Sequence, residues 1–214
     1  EYRPAQQEMS ALVWWVLERG GTALIEAGTG TGKSLAYLYP VFAQERTEKS
    51  TVIIATYTIN LQQQLMEKEV PFLTKILATE KKVALLLGRG NYLCRRKLNY
   101  YRKHPELLTG QELDLLQRIG QAVAQNRGCL EELGYELPAV FKEKLVSEAE
   151  TCLRKRCPEQ SACFWALARK KAFEAEIVIV NHHLFFTDLG MRLDRSLDEE
   201  GIVLPAYQYV IFDE

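Results

Sequence analysis

A parallel, doubly wound α/β sheet with a mainly helical insertion is the fold class this sequence predicts, on three observations. Short apolar strands alternate with helical patterns over the first 87 residues, and strands return near the end of the chain. A glycine-rich turn joins one of those strands to a helix. Two strand candidates are β-branched and continuously apolar, the pattern of strands covered on both faces.

Taken in order, Met9, Leu12, Val13, Val16 and Leu17 recur at helical spacing, so a helix is predicted from about Ala5 to Arg19, ended by Gly20-Gly21. Thr22 to Glu26 is predicted as a short apolar strand, and Lys33 to about Glu45 as a helix. Thr51 to Ala55 is predicted as a strand buried on both faces, Asn60 to Glu69 as a helix stopped by Pro71, and Val83 to Leu87 as a third buried strand. This alternation indicates a parallel sheet with crossover helices. From Gly88 to Lys171 the strand signal fades, leaving helical patches at Gln111–Asn126 and Ala139–Glu150 among dense charge and all five cysteines. Strands resume at Ile177–Val180 and Tyr209–Phe212, and Gly190 to Tyr207 is expected to be a polar, acidic connector. The predicted organisation is a sheet domain made of residues 1–87 and 172–214, interrupted by an inserted domain over 88–171.

Composition narrows the function classes. The chain has 214 residues, 47% of them hydrophobic, and a net charge of -1. A core is affordable, while any basic nucleic-acid surface must be local. No apolar run approaches the ~18 residues of a membrane span, and Glu1-Tyr2-Arg3-Pro4 shows neither a starting Met nor a signal-peptide pattern. The sequence is therefore expected to begin inside a longer product. Five cysteines with no secretion signal point to metal or redox chemistry rather than disulfides.

Ala27-Gly28-Thr29-Gly30-Thr31-Gly32-Lys33-Ser34 follows a predicted strand and opens a predicted helix, which is the setting of a phosphate-binding loop. Glycines let backbone N–H groups turn onto a phosphate, and the helix N-terminus adds positive potential. Lys33 is the candidate for the β- and γ-phosphates of ATP, and Ser34 for a Mg²⁺ ligand. The usual first glycine is replaced by Ala27. The matching acid should end another central strand, and Val210-Ile211-Phe212-Asp213-Glu214 supplies it. Asp213 is the candidate for the Mg²⁺ shell, and Glu214 for orienting or deprotonating the attacking water.

Cys94, followed by Cys152-x4-Cys157-x5-Cys163, makes a set of soft thiolates that selects Zn²⁺ or an iron–sulfur cluster. Structural zinc sites usually pair their ligands more tightly, and a lone fourth ligand suits a cubane better. From spacing alone an iron–sulfur cluster, zinc and unliganded thiols all remain open, in that order. Cys129 is expected to be an ordinary small buried residue, with replacement of Cys94 as its alternative role. Between Gly88 and His104 lie Arg89, Arg95, Arg96, Lys97, Arg102 and Lys103, interleaved with Tyr92, Tyr100 and Tyr101 and with no acid. Cations track a phosphate backbone and aromatic faces stack unpaired bases; a solvated helical face with core tyrosines is the alternative. Arg154-Lys155-Arg156 and Arg169-Lys170-Lys171 are expected to be solvated faces, and His182-His183 a structural or DNA-contact pair rather than a metal site.

These residues resemble the iron–sulfur helicases of superfamily 2, the group containing XPD and the bacterial DinG-type enzymes, over nearly the whole chain. Arg3-Pro4-Ala5-Gln6 is similar to that family's adenine-reading motif, with Gln6 as the base contact, and Glu26 to Ser34 to its motif I. Ala55-Thr56-Tyr57-Thr58 with Leu61-Gln62 is similar to motif Ia, which touches the DNA strand. Gly88 to Cys94 resembles the start of its cluster domain, the cysteine spacing is closest to the DinG branch, and Val180 to Leu184 resembles the segment before motif II. The resemblance implies a RecA-like motor lobe and a [4Fe–4S] cluster on Cys94, Cys152, Cys157 and Cys163. It also implies unwinding with 5′ to 3′ polarity, and single-stranded and branched DNA as partners. A role in DNA repair or replication, in a bacterial cytoplasm beside the nucleoid, goes with it. Thr58, Arg89, Tyr92, Arg95 and Arg96 become the DNA candidates, and Arg3, Gln6 and Gly28 to Ser34 the nucleotide candidates. Competing expectations are a DNA-binding metal module with a nucleotide switch, and a phosphate-loop ATPase with structural zinc.

Overall fold

The computed structural model describes residues 3–45, 50–194 and 202–213. The chain divides into two compact units, one of Leu87–Lys170 and the other of the residues on either side of it.

The flanking unit is built on a four-stranded sheet of order β2-β3-β1-β4, with β1 at Thr51–Thr56, β2 at Val83–Leu85, β3 at Ile177–Asn181 and β4 at Tyr207–Asp213. All three ladders are parallel. The Val/Ile run of β1 is buried at every position and that of β3 at all but its last, because helices cover both faces. Leu17 of α1 (Pro4–Arg19) packs on one face with Tyr37, Leu38, Val41 and Phe42 of α2 (Lys33–Ala43). Lys81 caps the end of α2, donating to the Val41 carbonyl at 3.0 Å and to that of Gln44.

Two expectations fail here for identifiable reasons. Thr22 to Glu26 forms no strand, and Leu24 is fully exposed. A strand persists only as part of a ladder, and no described strand pairs with this segment. Pro71 does not stop the helix after β1. Helix α3 (Ile59–Gln64) passes through one π turn at Leu65–Glu69 into α4 (Val70–Leu77). The Val70 N–H reaches back to the Leu65 carbonyl, and Pro71 follows directly on that wider turn, with the backbone helical on both sides of it.

The expected connector from Gly190 is helical at first, since α9 runs from His182 to Leu193. Residues 195–201 lie outside the described set. The incoming segment of β4 is clasped to α9 by Asp188, which is fully buried. Its carboxylate accepts the Val203 and Leu204 N–H groups at 2.6 and 2.9 Å and the Arg192 Nε–H at 2.6 Å. Arg192 in turn donates to the Leu204 and Pro205 carbonyls.

The unit Leu87–Lys170 carries α5 (Arg95–Lys103), α6 (Gly110–Ala124) and α7 (Ala139–Leu145) and runs into α8 (Phe164–Phe173). Thr109 and Glu112 form a reciprocal cap on α6, and Lys144 of α7 meets Glu112 at 2.7 Å. Helix α7 is shorter than its sequence pattern. Val146 leaves it to pair with Leu93, and the Ser147 N–H bonds to the Tyr92 carbonyl. Tyr92–Leu93 thereby lies between Cys129 and Val146 in two antiparallel bridges. Gly128 lies flat against Phe164: a Cβ there would come within 2.0–2.3 Å of the ring.

Asp188→Ala is expected to destabilise the protein by about 3–5 kcal/mol, because it strands buried donors; the denaturant midpoint measures this, and a midpoint matching wild type would refute the clasp. Gly128→Ala is expected to cost about 1–3 kcal/mol through overpacking against Phe164, read in the same way.

Candidate nucleotide loop and cysteine pocket

The turn between residue 27 and α2 is shaped by its glycines. Gly30 and Gly32 have φ of 78° and 80°, a left-handed backbone that glycine adopts without strain. Thr31 closes the turn by donating its hydroxyl to the Gly28 carbonyl at 2.9 Å. Helix α2 then starts at Lys33, so its unpaired N–H groups face the loop. Two side chains from the start of α1 reach across to it. Arg3 Nη1 donates to the Gly30 carbonyl and Gln6 Nε2 to the Gly32 carbonyl, both at 3.0 Å. Gln6 approaches so closely that a Cβ on Gly32 would meet its amide nitrogen at 2.3 Å. Arg3, Gln6, Gly28, Thr29, Gly30, Thr31, Gly32, Lys33 and Ser34 thus form one neighbourhood. Lys33 is half-exposed and makes no ion pair among the described residues.

Asp213 comes to the same helix from the far end of the sequence. The β1–β4 register sets it beside Thr56 at the end of the sheet, and it is only 7% exposed. Tyr37, one turn beyond Ser34 on α2, donates its hydroxyl to Asp213 Oδ2 at 2.7 Å. Burial first, then the carboxylate's charge and its hydrogen bond, push the Tyr37 phenol well above its ordinary range, while a side-chain hydrogen bond with Ser34 pulls the other way. Sequence reasoning passed over Tyr37. Its signal was a tyrosine on the buried face of an apolar helix, which must find a partner for its hydroxyl. Glu214 lies outside the described residues.

Nearby strand ends are occupied by caps. Thr58 accepts the Leu61 N–H at 3.2 Å and opens α3, and Asn181 accepts the Leu184 N–H at 2.8 Å and opens α9. His182 Nε2 bonds the Ala55 carbonyl at 3.0 Å, and its ring meets Tyr57 and Phe212 edge-on. His183 follows it in the first turn of α9.

The inserted unit brings four cysteines to one pocket. Cys94, Cys152, Cys157 and Cys163 line a hollow of about 400 Å³, counting its open mouth. Cys94 and Cys163 immediately precede α5 and α8, where helix N-termini favour thiolates. Cys152 Sγ accepts from Arg89 Nη1 at 3.1 Å and from the Arg154 N–H at 3.4 Å. Arg154 takes a φ of 49° to make that turn. Burial raises the Cys163 thiol, with smaller contributions from Cys152 and Cys94, so these thiols lie within electrostatic range of one another. Among the described residues no three His, Cys, Asp or Glu side chains form a site for a single metal ion. Cys129 is not part of the pocket wall; burial pushes its thiol up to about 11.

Four basic residues of this unit, Arg89, Arg95, Arg96 and Lys97, are half-buried and bonded to the protein, while Arg102, Lys103 and Arg154 to Arg156 are exposed. Arg89 lies over the Trp165 ring at 3.6 Å. Arg95 bonds the Ala162 carbonyl at 2.6 Å and covers Phe164. Arg96 bonds the Thr151 carbonyl at 3.0 Å. Lys97 pairs with Glu148 at 2.8 Å. These bonds pin the cysteine-bearing loop to α5 and its approach. Tyr92 is only 5% exposed and its hydroxyl accepts the Leu87 N–H, so its ring belongs to the core and has no face free for a base. Tyr100 is half-exposed on α5, with its ring against those of Tyr101 and His104. No helix among the described residues is long and apolar enough to cross a membrane.

Over 99% of its length the chain is 37% identical to the ATP-dependent DNA helicase YoaA of Haemophilus influenzae, covering 32% of that protein. It is 33% identical to YoaA of Escherichia coli, with 99% of this chain and 32% of the relative covered. It is also 33% identical to the ATP-dependent helicase DinG of Mycobacterium tuberculosis, with 99% and 34% covered. The chain therefore spans about a third of the length of these relatives. Residues 3–143 match the DEAD/DEAH box helicase family, and the chain belongs to that family.

Proposed function

We propose that this chain is the first motor lobe of an ATP-driven DNA helicase, with residues 88–171 inserted as a domain that holds a [4Fe–4S] cluster. The observation that carries the motor assignment is the meeting of the glycine loop, α2 and Asp213 through Tyr37. The backbone N–H groups of Gly28 to Lys33 would cradle the phosphates of ATP, with Lys33 on the β- and γ-phosphates. Ser34 and Asp213 are the donors that would hold Mg²⁺, which neutralises charge on the transferred phosphoryl group. Glu214 would accept a proton from the attacking water as the γ-phosphorus bond to the β-phosphate oxygen breaks, leaving ADP and phosphate. Gln6 would trade its bond to the Gly32 carbonyl for the adenine edge.

Four thiols around one hollow, two of them at helix N-termini and one receiving two N–H···S bonds, suit a polynuclear cluster held by Cys94, Cys152, Cys157 and Cys163. Bound there, the cluster would supply four Fe–S bonds that brace a small domain whose own core is modest. On the flanking unit Thr58 would touch single-stranded DNA; on the inserted unit Arg89, Arg95 and Arg96 add positive charge at α5, and Tyr100, half-exposed, is better placed than buried Tyr92 to meet a base. Branched DNA, 5′ to 3′ polarity, work in repair or replication, and residence beside a bacterial nucleoid complete the proposal.

In the full-length enzyme Lys33→Ala is expected to abolish ATP hydrolysis; full retained activity would contradict the phosphate loop. Protein prepared without oxygen is expected to be brown, with about four iron and four sulfide per chain, whereas colourless protein with one zinc would remove the cluster.

A further inference from the structure

We propose that Tyr37 is a positioning residue of the nucleotide site: its hydroxyl aims the Asp213 carboxylate at the helix that carries Lys33 and Ser34, so that the cation arriving with the nucleotide meets a ligand already oriented. This role rests on Gly28–Ser34 being a phosphate loop and on Asp213 being a cation ligand.

The phenol links Asp213 to α2, where it also shares a side-chain hydrogen bond with Ser34. Tyr37 is 1% exposed, with its ring packed in the core between α2 and the sheet, so it can meet neither DNA nor solvent. Its spacing of three and four residues from Ser34 and Lys33 puts all three on one side of α2. Its hydroxyl crosses 176 residues of sequence to Asp213 Oδ2 at 2.7 Å, the length of a hydrogen bond to a carboxylate. Asp213 is itself buried at the end of β4. A carboxylate in that setting needs a donor to hold one rotamer, and among the described residues its side chain accepts a hydrogen bond from Tyr37 alone. One oxygen is thereby fixed on α2, leaving Oδ1 available for a cation. The backbone register of β4 alone places the Asp213 Cα; Tyr37 decides where its oxygens point. The ring is held by packing, so the hydroxyl returns to the same place after each turnover.

Tyr37→Phe removes the oxygen and keeps the ring, so the core is retained. In full-length protein the expected result is a rise of about tenfold in the Mg²⁺ concentration that half-saturates ATP hydrolysis, the worth of one charge-assisted hydrogen bond. The second readout is equilibrium binding of a fluorescent adenine nucleotide. Affinity in excess EDTA should stay within about twofold of wild type, while the tightening produced by added Mg²⁺ should shrink by a factor similar to that seen in hydrolysis. Unchanged Mg²⁺ dependence in both measurements would overturn the role of Tyr37. Equal weakening of binding with and without Mg²⁺, together with a lowered melting temperature, would also overturn it, since that is the behaviour of a packing residue. Lys33→Ala separates the two levels. If that variant hydrolyses ATP normally, the phosphate loop itself fails; if it is dead while Tyr37→Phe titrates with Mg²⁺ like wild type, only the positioning role falls.

Discussion

Strands β1 and β3 have almost no position open to water, and their parallel alignment with β4 is the constraint on which the candidate site at the sheet's edge depends. Burial on both faces selects one register, because a slip of one residue would exchange the two faces of each strand. That register brings Thr56, Asn181 and Asp213 level at the carboxyl ends of adjacent strands. Each is then put to work by the turn that follows or the helix beside it: Thr56 bonds the Thr58 carbonyl, Asn181 caps α9, and Asp213 receives Tyr37. Ligand sites at the carboxyl ends of parallel strands are a general outcome of this geometry.

The glycine loop is held from both ends of the chain. Arg3 and Gln6 occupy the carbonyls of Gly30 and Gly32, and Tyr37 ties the following helix to the end of β4. These bonds leave the loop N–H groups, Lys33 and the positive end of α2 as the groups available to an anion. Preorganised donors of this kind act on a phosphoryl group without paying for rearrangement at the moment of reaction.

The inserted unit solves a different problem. Its arginines are spent on structure: Arg89, Arg95 and Arg96 fasten the loop between residues 151 and 165 to α5 and its approach. Cations that brace the proposed cluster loop would at the same time give the domain its positive potential. Damage to the loop should therefore be felt in both roles.

The alternating strands and helices were legible in sequence because two of the strands are buried along all or nearly all of their length, and such strands are written as unbroken apolar, β-branched runs. The glycine loop was legible as well, since its backbone needs glycine wherever φ is positive. Cysteine spacing told which thiols are near neighbours in sequence. Only folding decided that Cys94 joins them while Cys129 does not, because Tyr92–Leu93 pairs on both sides with segments distant in sequence. Likewise the inward turn of Tyr92, the unpaired course of Thr22 to Glu26, the continuation of the helix past Pro71 and the bond from Tyr37 to Asp213 follow from which strands and helices find partners. Local pattern encodes which face a residue prefers; the partner that meets it there is a property of the assembled fold.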